Sequence, residues 1–128
     1  MSASPTIWTI DLPLSSLAVL KTWLQDCQVS WKSLAATDLP ANLGPEISIP
    51  DVVVWYLTAE NAAVLFEMLQ RQLALVRTAD QIWILTEQEL PAAAGPYFSS
   101  VGIAQVWRSS LELGPRLQLA IKQLAAVN

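Results

Sequence analysis

A chain of 128 residues suits one domain with one core. Its apolar fraction of 53% and charged fraction of 14% exclude a disordered chain. The net charge of −4, with seven scattered basic residues, speaks against nucleic acid, which draws on Lys and Arg to neutralise phosphates. No apolar run reaches the ~18–20 residues of a membrane helix. The opening Met-Ser-Ala-Ser-Pro lacks the basic and apolar regions of a signal peptide. Cys27 is the single cysteine, so no internal disulfide can form and a cytoplasmic setting is the expectation. Histidine is absent. That removes Ser-His-Asp and Cys-His devices and every metal site that needs imidazole.

In chain order, Thr6 to Asp11 reads as a first strand ending in an acid. Leu12 and Pro13 turn the chain, and Ser15 or Ser16 is placed to cap a helix running to about Cys27. Leu17, Leu20 and Leu24 recur there at helical spacing, and Trp23 either widens that stripe or projects from it. Val29 to Leu34 is a second strand. Residues 35–50 carry Pro40, Gly44, Pro45 and Pro50, which allow at most a turn or two of helix where a crossover helix is wanted.

Val52 to Leu57 is a continuous apolar run with no polar alternation, as expected of a strand covered on both faces. Thr58-Ala59-Glu60-Asn61 opens a helix reaching about Val76, with Leu65, Met68, Leu69, Leu73 and Val76 on one face. Gln81 to Leu85 is a fourth strand ending at Thr86. Residues 87–100 read as weakly helical, interrupted by Pro91, Gly95 and Pro96, with Tyr97 and Phe98 as anchors. Ile103 to Trp107 is a fifth strand, and Gly114-Pro115 starts the last helix. Trp8, Trp31, Trp55, Trp83 and Trp107 fall one to each strand. They read as core residues bridging sheet and helices, with an aromatic ligand wall as the alternative.

Strands alternating with helical segments imply right-handed crossovers. The expected fold is α/β: a five-stranded parallel sheet in order 2-1-3-4-5 between helical layers, flavodoxin-like, spanning 1–128 as a single domain. The segment 35–50 is expected as an irregular loop in place of most of the second helix. In such sheets a site sits at the C-terminal strand ends, here near Tyr56 and Thr58.

Ile10-Asp11-Leu12-Pro13-Leu14, Pro50-Asp51-Val52-Val53-Val54 and Ile84-Leu85-Thr86 together resemble the receiver domain of two-component response regulators. The resemblance places Ile10 and Asp11 at the family's acidic pair, which helps hold magnesium. Tyr56 falls at the phospho-accepting aspartate, Thr86 at the responding hydroxyl, and Ser109 at the lysine, with Arg108 beside it. Such a site needs a carboxylate nucleophile, acids for the metal and a facing cation. The first acid, the acceptor and the lysine are missing, which implies a degenerate receiver without aspartyl phosphorylation, metal or cofactor.

Other readings stay beside these. Asp11 can simply end a strand or cap a helix, Thr86 can cap a helix ahead of Glu87, and Cys27 reads as a small structural apolar residue. Arg108, Asp38 and Glu46 read as solvated. The expectation is a non-catalytic signalling or regulatory module that works by protein–protein contact. The alternatives are a small-molecule-binding or enzymatic flavodoxin-like domain and an assembly subunit. Only four glycines and no phosphate loop count against the enzyme. The resemblance points to the C-terminal strand and helix as the contact region. There Tyr97, Phe98, Leu111, Leu113 and Leu119 exceed what one helical stripe can obviously bury, implying a homodimer or a protein partner.

Overall fold

The computed structural model describes residues 4–39, 49–70, 76, 81–87, 94–103 and 105–127. Strands β1 (Thr6–Ile10), β2 (Ser30–Leu34), β3 (Val52–Tyr56), β4 (Ile82–Leu85) and β5 (Gln105–Trp107) form one sheet in order β2-β1-β3-β4-β5. Every pairing is parallel. Four helices are described: α1 (Leu14–Trp23), α2 (Ala62–Gln70), α3 (Ala94–Ser100) and α4 (Ser110–Val127). A 3₁₀ turn at Ala36–Asp38 follows β2. This is the expected flavodoxin-like arrangement.

The period-2 geometry of a strand explains why β3 needs no polar residue. Val53 and Trp55 enter one core layer with Trp8, Ile10, Leu65, Met68, Ile84 and Phe98. Val52 and Val54 enter the other with Ile7, Leu20, Leu24, Leu113, Leu117 and Ile121. Helices α1 and α4 thus cover one face of the sheet, while α2 and α3 cover the other. The five strand tryptophans divide between these layers. Trp8 and Trp55 point one way, and Trp31, Trp83 and Trp107 the other, so no single aromatic wall spans the sheet.

Three helix boundaries differ from expectation. Helix α1 has no side-chain cap; Pro13, at φ −61°, precedes it, and Ser16 is buried within it. The fixed proline torsion sets the helix entry without a serine. In α3, Gly95 and Pro96 lie inside the first turn rather than interrupting a helix, because a first-turn proline lacks an N–H that would be unbonded anyway. Helix α4 begins at Ser110, well before Gly114-Pro115, and Pro115 lies within it. Ser109 is its cap: the side-chain oxygen accepts the Leu111 N–H at 3.1 Å, and the carbonyl accepts Glu112 and Leu113 N–H. Ser109-Ser110-Leu111-Glu112 carries the S-x-x-E spacing of a capping box.

Gly114 has a packing role instead. A Cβ built there would collide with Trp23 Cδ1, so the indole of α1 lies directly against the α4 backbone. Gln118 Nε2 donates to the Trp23 carbonyl at 2.7 Å, fixing the same crossing. Of the expected α2 face, Leu65 and Met68 are buried, and Leu69 and Val76 pack against them. Leu73 and the segments 40–48 and 88–93 lie outside the described residues. Among the described residues no helix is long and apolar enough to cross a membrane.

Candidate functional site

The C-terminal strand ends bring Asp11, Tyr56, Thr86 and Ser109 to one edge of the sheet. Ile10 registers with Trp55, Tyr56 with Leu85, and Leu85 with Trp107, so each candidate ends or follows a neighbouring strand. Their side chains have separate occupations.

Asp11 sits at φ +57°, a left-handed conformation that Asp tolerates better than most residues. Its backbone N–H donates to the Leu34 carbonyl at 3.0 Å. That geometry aims the carboxylate across two loops. Oδ1 accepts the Ala36 N–H at 3.1 Å, and Oδ2 accepts from Asn61 Nδ2 at 2.9 Å. One acid therefore ties the end of β1 to the 3₁₀ turn and to the start of α2.

Asn61 is the centre that sequence reasoning passed over. Its side chain is buried, and its Nδ2 also donates to the Tyr56 carbonyl at 2.8 Å. Oδ1 accepts the Thr58 N–H at 2.9 Å, while the Asn61 N–H donates to Thr58 Oγ1 at 3.2 Å. This is a reciprocal capping box with Asn in place of the usual Glu or Gln. Both amide hydrogens and the amide oxygen are used, as a buried amide requires. The Thr-x-x-Asn spacing was the available signal.

The remaining positions of the receiver-like pattern supply no charge to this cluster. Ile10 is fully buried in the core. Tyr56 is half-buried, and its hydroxyl donates to Glu87 Oε2 at a long 3.4 Å. Thr86 is buried, with its backbone N–H bonded to the Trp107 carbonyl at 2.9 Å. Ser109 caps α4, and Arg108 is exposed beside it. Among the described residues no group of three His, Cys, Asp or Glu side chains is placed to hold a metal ion. The arrangement can lock loops; it offers no carboxylate nucleophile at the end of β3.

Burial, then the nearby Glu87 carboxylate and its hydrogen bond, raise the Tyr56 hydroxyl above the ordinary tyrosine value. An unfolded tyrosine ionises near pH ~10. The folded group keeps its proton to higher pH, so its contribution to stability is complete below that value. The contribution is lost as pH rises from there through the raised folded value. Tyr97 is the other tyrosine. In Tyr97→Phe, an ultraviolet titration therefore reads Tyr56 alone, and its midpoint should lie above ~10. Adding Glu87→Gln should lower that midpoint; an unchanged midpoint would remove Glu87 as a cause.

The expected contact residues separate on the structure. Phe98 and Leu113 are core residues, at 2% and 0% exposure, which corrects their assignment to a surface. Tyr97 is half-buried against Phe66, with ring centroids 4.8 Å apart, on the α2/α3 side. Leu111 and Leu119 remain exposed on α4. The helix stripe of Leu113, Leu117 and Ile121 buries more than the sequence count suggested, because α4 starts a turn earlier and brings Leu113 into it. Comparison with protein-family models and with curated proteins finds no match for this chain.

Proposed function

We propose that this protein is a non-catalytic regulatory module of receiver-like design that works by protein–protein contact without aspartyl phosphorylation. One observation carries the reading: both oxygens of Asp11, the acid retained at the strand ends, accept structural hydrogen bonds from Ala36 and Asn61. Tyr56 stands where the resemblance calls for the accepting carboxylate, and a phenol is neither a comparable nucleophile nor a magnesium ligand. With the core-facing Ile10 at the position of the first acid, the chemistry of phosphoryl transfer lacks its acceptor and that acid.

Incubation with acetyl phosphate and magnesium, followed by intact-mass spectrometry, should show no phosphoryl adduct. Tyr56→Asp should remain unmodified as well, since Asp11 stays engaged and Ser109 brings no cation. Stoichiometric addition to the native chain would overturn the proposal.

The contact surface in this reading centres on the exposed Leu111 and Leu119 of α4, with Lys122 and Gln123 as polar neighbours. A homodimer through this surface should dissociate in Leu119→Lys with the fold intact, because a charge in a buried apolar contact is costly. Sedimentation showing a monomer at high concentration would leave only a different protein as partner.

A further inference from the structure

On the α1/α4 side of the sheet, α4 does not close over β5. An open groove of about 470 Å³ runs between them, within the ~300–1,000 Å³ of small-ligand sites. Its floor holds Trp83 and Trp107, stacked at 6.1 Å between ring centroids and 25° between planes. Trp83 is nearly buried, and the half-buried Trp107 presents the accessible ring. Leu119, at 51% exposure, forms the apolar part of the α4 wall.

The described polar side chains lining this section are one cation and two neutral amides. Arg116 lies on the α4 wall, exposed, and no carboxylate pairs with it among the described residues. Gln105 and Gln123 add amides that can donate or accept, and among the described residues no Asp or Glu lines this section. The indole N–H of Trp107 is buried with no acceptor among the described residues, a donor left at a cost in free energy. Beyond Trp83 and Gln123 the groove continues to a lower section bounded by Asp51. The carboxylate there already accepts the Thr6 N–H at 2.8 Å. The groove thus has a cationic end at Arg116 and an apolar aromatic middle.

We propose that this groove binds a small planar aromatic carboxylate, its ring on Trp107 and beside Leu119, its carboxylate on the Arg116 guanidinium. A guanidinium presents two parallel N–H donors that match a carboxylate, and it also stacks on flat rings. An aromatic ring laid on Trp107 in an offset or edge-to-face arrangement adds the apolar contact. A cationic ligand would meet Arg116 and find no counter-charge in this section. The inference does not rest on the contact function above, but Leu119 and Gln123 belong to both surfaces, so a ligand in the groove and a second copy on α4 compete for them.

The test is a titration of ¹⁵N-labelled protein with 2-naphthoate, followed at the assigned indole N–H resonances, with 2-naphthylmethylamine as the cationic comparison. The expected result is saturable movement of the Trp107 and Trp83 signals with naphthoate, and none with the amine. Arg116→Gln, an exposed substitution, should weaken binding roughly tenfold, the scale of one charge-assisted contact. Arg116→Lys should recover part of that loss. Three results would each overturn the proposal: no saturable movement at Trp107, equal binding of the amine, or an affinity unchanged in Arg116→Gln.

Discussion

Trp55→Ala should cost about 3–5 kcal/mol of folding stability, while Trp55→Phe should cost no more than about 1.5 kcal/mol. Trp55 lies on the central strand and is fully buried, in the layer that joins Trp8, Leu65, Phe98 and Ile103. Alanine removes the whole indole from a site walled by the sheet and two helices, so collapse can fill little of the space. Phenylalanine keeps much of the aromatic packing and deletes the indole N–H. That N–H is buried with no acceptor among the described residues, and such a group opposes folding by ~1–3 kcal/mol. Its removal offsets part of the smaller ring's cavity. Urea unfolding of both variants, compared at constant m, measures the difference. Equal losses in the two variants would mean that the indole nitrogen is not a destabilising group.

Asp11→Ala should cost roughly 2–4 kcal/mol, through two separable causes. The substitution strips acceptors from the Ala36 N–H and from one hydrogen of the buried Asn61 amide. It also places an alanine at φ +57°, which a methyl side chain resists. Asp11→Asn tolerates that torsion and retains an acceptor oxygen, so its loss should be about half as large. Asp11→Gly relieves the torsion and loses both side-chain bonds, which isolates the first cause, the lost acceptors. Amide exchange at Ala36 and at the start of α2 should quicken in Asp11→Ala and Asp11→Gly. Wild-type protection at both places in Asp11→Ala would show that the acid does not clip the loops.

The sheet was legible because its signal is local and redundant. Three valines and a tryptophan in β3, with an apolar stretch in β4, define strands by composition alone, and the intervening helical spacings force parallel pairing. Boundaries were harder where two capping signals competed. Gly114-Pro115 is a strong helix-start pattern, but Ser109 offers its side-chain oxygen two residues on and its carbonyl three and four residues on, and the earlier cap prevailed. The site was half legible. Asp11 and Tyr56 were found because they end strands. Asn61 was read only as part of a helix start, since its link to Asp11 crosses fifty residues and no local spacing encodes it. The exposure of Leu111 and Leu119 but not Leu113 depended on the register of α4, which the proline obscured.

The contact between Trp23 and Gly114 also orders the substitutions open to this chain. Any side chain at 114 collides with the indole, although alanine in a helix interior is intrinsically favoured over glycine by ~1 kcal/mol. The same replacement is thus harmful while Trp23 is present and beneficial once a small residue stands at 23. A lineage can reach the alanine at 114 without a weakened intermediate only by changing 23 beforehand, and after that step a return to tryptophan is closed.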